Sequence, residues 1–286
     1  MASYELTALA NYHCRIGENP LWDDRRRRLL WTDIPAGRLY RYDPVNGFHE
    51  PFHQGEVVGG FTLQQDGSLL LFGADRIVLL SESGSCRTVA SDIDEDMQRF
   101  NDVIAAPGGQ VLAGTIGKTN QSGGLYRVGL DGAATCLFKG TGCSNGMGFS
   151  PDRRRFYWTD TTSRTIFEFD FDEAACELSG RRAFVTLDPS EKFPDGMTVD
   201  RDGFVWSARW DGYSIGRYTP DGKLVETIEL PVAKVSSLTF GGLGLDDIYV
   251  TTAGGSQGAD TPDGTLYRFR TGAAGLPEFR SSVAIH

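Results

Sequence analysis

Short apolar runs separated by turns bearing glycine or aspartate recur along the whole chain. The first copy of the pattern runs through residues 19–24, 29–33 and 37–42, and the second through 60–63, 69–72 and 77–80. Further copies occupy 102–105, 111–114 and 124–128, then 146–149, 156–160 and 165–169. The last two occupy 196–199, 204–207 and 214–218, then 237–240, 248–251 and 265–269. Each run has strand length, and Asp-Gly or Gly-Gly pairs between runs are hairpin chemistry. Each copy also offers a weaker fourth strand, such as 182–186 or 225–230, and no segment reads as a long amphipathic helix. Four short antiparallel strands repeated every 40 to 50 residues predict an all-β, six-bladed β-propeller. Six such blades fill residues 1–286 as a single domain. The segment 5–9 precedes the first blade and is placed to pair beside the last, closing the ring and hiding its edges.

The residue opening each copy is, in turn, Glu18, Gly59, Asn101, Asn145, Asp195 and Ser236, at intervals of 41, 42, 44, 50 and 41 residues. In a propeller the first strand of every blade lines the central channel, so equivalent positions form a ring. Glu18, Asn101, Asn145 and Asp195 therefore aim oxygen-bearing side chains at one spot. Two carboxylates converging there repel each other unless a cation lies between them. Carboxylate and amide oxygens are hard donors that suit a divalent ion. A polar channel holding only ordered water is the competing reading.

Composition narrows the partners. Against 38 acidic side chains stand 28 basic ones, a formal charge of −10, which argues against nonspecific nucleic-acid binding and against an anionic membrane surface. No apolar run approaches the roughly 20 residues of a membrane span. The first dozen residues lack the basic start and apolar core of an export signal, so a cytoplasmic location is expected. Cys14, Cys86, Cys136, Cys143 and Cys176 are odd in number and form no C-x-x-C pair, so reduced packing thiols are expected. The four histidines show no metal-ligand spacing.

Gly17-Glu-Asn-Pro-Leu-Trp22, Arg99-Phe-Asn-Asp102, Ser144-Asn-Gly-Met147 and Pro194-Asp-Gly-Met197 together resemble the regucalcin/gluconolactonase family, also called senescence-marker-protein lactonases. The four matches fall in separate blades in compatible order. The resemblance implies a six-bladed propeller that holds one divalent cation and opens sugar-acid (aldono-) lactones to aldonic acids. Carried over by position, it makes Glu18, Asn145 and Asp195 the metal ligands and places Arg99 and Asn101 against the substrate. It leaves the ion open among Ca²⁺, Zn²⁺, Mg²⁺, Mn²⁺ and Fe²⁺. An acid that some animal members carry would fall near Thr119, so their sugar preference does not transfer.

Lactone hydrolysis needs a polarised carbonyl and an activated water, and Asp195 is the carboxylate expected to act as ligand and general base together. Serine chemistry is disfavoured because the chain has no G-x-S-x-G. The expected partner is a small sugar lactone, with the chain a monomer or weak homo-oligomer. Competing functions are a non-catalytic calcium-handling protein, a protein-binding propeller and a phosphotriesterase-like hydrolase; Phe156-Tyr-Trp-Thr-Asp160 contains the Y-W-T-D string of receptor propellers. Arg99 read without the resemblance is a solvated surface cation. The arginine runs 25–28 and 153–155 read as solvated hairpin tips, and Trp31 and Trp158 as blade packing. Trp210 is placed either in the fold or at the channel mouth.

Overall fold

A computed structural model of the chain describes residues 4–256, 258 and 260–284. Its strands form six four-stranded antiparallel sheets. β1 (Thr7–Asn11) comes first in the chain and last in the ring. Blade 1 holds β2 (Gly17–Asp23), β3 (Arg28–Asp33), β4 (Arg38–Tyr42) and β5 (His49–Gln54). Blade 2 holds β6 (Gly60–Leu63), β7 (Leu69–Phe72), β8 (Arg76–Leu80) and β9 (Cys86–Ser91). Blade 3 holds β10 (Met97–Ala105), β11 (Val111–Gly117), β12 (Gly123–Val128) and β13 (Ala134–Thr141). Blade 4 holds β14 (Ser144–Phe149), β15 (Arg155–Asp160), β16 (Thr165–Asp172) and β17 (Glu177–Thr186). Blade 5 holds β18 (Phe193–Val199), β19 (Val205–Trp210), β20 (Ser214–Tyr218) and β21 (Leu224–Glu229). Blade 6 holds β22 (Val235–Gly241), β23 (Asp247–Thr252) and β24 (Thr265–Phe269), completed by β1 beside β24.

The first strands β2, β6, β10, β14, β18 and β22 touch in that order and close back on β2. That contact ring is the propeller axis, and the expected closure by the N-terminal segment holds, two residues later than the sequence suggested. The chain turns tightly because glycine takes the left-handed backbone at the hairpin tips, as Gly109 (φ 89) and Gly203 (φ 84) do in blades 3 and 5. Burial falls outward from the axis. Every residue of β2, β14 and β22 is buried, whereas the outermost β17 is exposed along most of its length.

The core lies between neighbouring blades. Trp206, Ile215 and Ile228 of blade 5 pack with Leu238, Phe240 and Ile248 of blade 6. Trp31 stacks on Tyr40 at 5.1 Å and Trp158 on Phe167 at 5.6 Å, so both tryptophans are packing residues. Burying one side chain of this size contributes about 2–3 kcal/mol.

The residues after β24 form a strap that the strand pattern did not predict. It crosses the end of the channel and touches every blade. Gly275 N donates to Leu245 O and Ala274 O accepts from Arg201 N, while Phe279 meets Phe149 edge-on. Arg280 Nη2 donates to Asp23 and Asp24 at 2.8 and 2.5 Å. Ser281 N donates to Leu63 O, and Ser282 N to Gly109 O. The expected solvated arginine tips are only partly so: Arg26 and Arg28 pair with Asp23, and Arg25 donates to Gln65 O across the blade boundary.

Candidate functional site

Glu18, Asn101, Asn145 and Asp195 all lie at the same end of the channel, opposite the strap, and all are at most 5% exposed. The reason they reach it is a local irregularity shared by their strands. The register between first and second strand shifts at Glu18/Leu21, Phe100/Val103, Asn145/Met147 and Pro194/Met197. A β-bulge bends the strand and re-aims the side chain it carries. Blade 2, whose ring position is Gly59, pairs β6 with β7 without a shift. A Cβ at Gly59 would lie 2.0 Å from Phe100 O, so that blade has no room to add a side chain to the ring. The third blade departs from expectation: β10 begins at Met97, so Asn101 sits within the strand rather than at its start.

The polar contacts form a connected set. Asn145 Nδ2 donates to Asp195 Oδ1 and to Thr161 Oγ1 at 3.1 Å, and Thr161 Oγ1 donates to Pro194 O at 2.8 Å. Glu18 Oε2 accepts from Asn19 N at 2.9 Å. Arg99 Nη1 donates to Asn101 Oδ1 at 2.6 Å and to Phe100 O at 2.9 Å, and Asn101 Nδ2 donates to Ser144 O at 2.9 Å. Arg99 is half-buried and held against Asn101, which removes the surface-cation reading. Asn145 Oδ1 is buried with no hydrogen-bond partner among the described residues.

Electrostatics sharpen the picture. Burial, then the charges of Asp102 and Asp195, push the Glu18 carboxyl well above the usual carboxylate range. Burial and Asp102 do the same to Asp195, against the opposing pull of the Asn145 amide and Arg99. Asp102 is itself pushed up to about 7 by burial. Burial also lowers the Arg99 guanidinium, the cation nearest this group. Three buried acids facing one cation are an electrostatic deficit that a divalent ion would relieve. The donors are hard oxygens, and Asn145 Oδ1 is an acceptor lacking a donor. The residues present therefore fit such an ion. Among the described residues no three His, Cys, Asp or Glu side chains could hold an ion by themselves, so the set depends on the asparagine amide.

Several neighbours were not anticipated. Asp102 follows Asn101 and strict alternation would turn it to the other face of β10, but the Phe100/Val103 shift lets both serve the channel. Thr161 and Cys143 are drawn in by the fold alone: the Cys143 Sγ lies 3.8 Å from Asn145 Nδ2 and 4.0 Å from Asn101 Nδ2. Burial pushes the Cys143 thiol up to about 12, so it is neutral. Thr119 is exposed on the β11–β12 connection, its N–H donating to Ser122 Oγ at 3.0 Å. Trp210 ends β19 half-buried, with Lys234 Nζ 5.1 Å from its ring centre.

Between this end and the strap lies a cavity of about 280 Å³. Asn19, Asp102 and Thr239 line it from the strands, and Glu278 from the strap. Thr239 Oγ1 donates to Glu278 at 3.3 Å, and burial pushes that carboxyl up to about 6.

Residues 16–254 match the model of the SMP-30/Gluconolactonase/LRE-like region family. The chain belongs to that family. As a member of the SMP-30/gluconolactonase group it is 42% identical to pentonolactonase XacC of Haloferax volcanii, over 98% of this chain and 99% of that protein. It is 31% identical to human regucalcin, over 93% of this chain and 91% of the relative. The solved structure of a calcium-binding protein, regucalcin, from Agrobacterium tumefaciens superposes with a TM-score of 0.90 at 22% identity, covering 98% of this chain and 99% of that one. At that identity the superposition speaks for the propeller alone. No helix among the described residues is long and apolar enough to cross a membrane.

Proposed function

We propose that the chain is a divalent-metal-dependent lactonase that opens aldonolactones to aldonic acids. The observation that carries the reading is the convergence of Glu18, Asn145 and Asp195 at one buried end of the channel, with the Asn145 Oδ1 left unpartnered. Pentonolactonase XacC, a relative sharing 42% identity over nearly the whole chain, supports a sugar lactone as substrate. In this reading Glu18, Asn145 and Asp195 hold the ion, which when bound supplies Lewis-acid polarisation of the lactone carbonyl and a lower pKa for water. The ion is one of Ca²⁺, Zn²⁺, Mg²⁺, Mn²⁺ and Fe²⁺, and the calcium-binding description of the Agrobacterium regucalcin supports Ca²⁺ as the first to test.

The residues supply the rest. The Asn145 amide, donating to Asp195 Oδ1, fixes the orientation of that carboxylate, which takes a proton from the attacking water. Hydroxyl adds to the carbonyl carbon, the ring C–O bond breaks, and the leaving ring oxygen receives the proton that Asp195 had taken. The acid product then ionises, releasing one proton per lactone opened. Asn101, tied by Arg99 on one side and Ser144 O on the other, presents a fixed amide edge for the lactone. Arg99 keeps a positive charge beside the product carboxylate.

The test is proton release on a panel of pentono- and hexonolactones near neutral pH. Metal-stripped protein is reloaded with each divalent ion and compared with a blank of metal alone. Metal-dependent turnover on at least one lactone is expected. Stoichiometric ion uptake without turnover on any lactone would move the non-catalytic calcium-handling reading ahead.

A further inference from the structure

Cys143 belongs to the two-residue link between β13 and β14, and its backbone is held from both sides. It bridges to Ile116 of blade 3, and its carbonyl accepts from Thr161 N of blade 4 at 3.1 Å. The side chain thus stands at the seam between the blade that carries Asn101 and the blade that carries Asn145. Its Sγ is within N–H···S range of both amides, 4.0 Å from Asn101 Nδ2 and 3.8 Å from Asn145 Nδ2.

The orientation of Asn145 depends on what surrounds its Nδ2. Asp195 Oδ1, Thr161 Oγ1 and Cys143 Sγ all present electron pairs to that nitrogen. Thr161 has already given its hydrogen to Pro194 O. Were the amide turned over, Oδ1 would face a carboxylate, a hydroxyl oxygen and a sulfur. With Nδ2 turned to these three groups, Oδ1 points outward, where it is buried at 4% residue exposure and unpartnered.

We propose that Cys143 is a positioning residue for the lactonase reaction, its sulfur coupling the substrate-facing amide of Asn101 to the metal-facing amide of Asn145. The inference rests on the lactonase reading above. A sulfur is needed because its long bond to carbon and large radius let one atom touch two amides near 4 Å. A serine oxygen, which bonds at about 2.9 Å, would reach neither.

The test uses the full chain. Cys143→Ala is expected to lower kcat/KM on the best aldonolactone about three- to tenfold at saturating Ca²⁺, the loss appropriate to a weak buried hydrogen bond. It should also weaken Ca²⁺ binding in calorimetric titration by a similar factor, with an unchanged melting temperature. Combined with Asn101→Ala, it should add little further loss in kcat/KM at saturating ion, because the contact to Asn101 is already gone, while the loss of Ca²⁺ affinity through Asn145 persists. Should Cys143→Ala fail to fold, Cys143→Ser carries the same measurements, since its oxygen cannot span the two amides. Wild-type kcat/KM and Ca²⁺ affinity in these variants, or kcat/KM losses that add fully to that of Asn101→Ala, would overturn the proposal. If the wild type opens no lactone with any of the five ions yet binds Ca²⁺, the lactonase reading falls by itself, and the Ca²⁺ affinity of the variant alone decides whether Cys143 positions Asn145.

Discussion

The strand β2 carries two buried acids five positions apart, and their surroundings are opposites. Asp23, at the strap end, is fully buried and ringed by Arg26, Arg28 and Arg280. Burial by itself would raise its carboxyl, but the Arg280 and Arg26 guanidiniums overcome that effect and hold it below the usual range. Glu18, at the other end, faces Asp102 and Asp195, and its carboxyl is driven up. Strand β18 repeats the contrast. Asp195 lies in the strained group, whereas Asp200 just past the strand end accepts from Trp206 Nε1 at 2.9 Å and pairs with Arg217 at 3.3 Å. At one end the buried aspartates Asp23 and Asp200 are paired with arginines and help to close the fold. At the other the acids face one another with Arg99 the one cation among the described residues opposing them, an excess of negative charge that a bound cation would offset.

The contrast makes opposite demands on mutation at the two ends. Asp195→Asn removes the proposed proton acceptor and should cut turnover about 10²–10⁴-fold even at saturating metal, while leaving thermal stability unchanged or raised. Near-wild-type turnover of that variant would mean another group takes the proton. At the strap end, Arg280→Ala should destabilise by about 3 kcal/mol in urea denaturation, because it strips a cation from the buried Asp23. The folded fraction of Arg280→Ala should keep its kcat, and a variant that is stable but inactive would erase the division between the two ends. Asn101→Ala should raise KM by the equivalent of about 1–3 kcal/mol with metal affinity little changed, read from initial rates and calorimetry side by side.

Glu278 gives the smallest effect and the one with a definite sign. Its carboxyl is raised from 4.5 to about 6 in the fold, so the folded chain holds the proton more tightly than the unfolded one. Stability therefore includes a contribution present below pH 4.5 that is lost as pH rises through about 6. At about 1.4 kcal/mol per unit, Glu278→Gln should be more stable than wild type by up to about 2 kcal/mol at pH 8. The two should converge near pH 4. A difference that does not change between those pH values would show that Glu278 is not buried as its place between strap and cavity requires.

How far the site was legible follows from the bulges. Glu18, Asn101, Asn145 and Asp195 were placed at the channel because each opens a repeat, and a repeat position needs only counting. Asp102 was passed over because period-two alternation assigns neighbours to opposite faces, and the shift between Phe100 and Val103 breaks that alternation. Thr161 and Cys143 lie outside the repeat positions. They matter only because inter-blade links bring β13, β14 and the β15–β16 turn to one seam, a long-range result without a local signature.

Strand number, blade order, ring closure by the N-terminal segment and the equivalence of the six ring positions were all determined by the sequence, because periodicity and turn chemistry are local properties. The strap was not, since residues 270–284 carry no periodic pattern and gain their order from the six blades they touch. Nor was the electrostatic split along β2. Glu18 and Asp23 are both strand carboxylates in the sequence; the ring places one among acids and the other among arginines. Charge environment is a property of the assembled fold, because the groups that create it come from blades far apart in the chain.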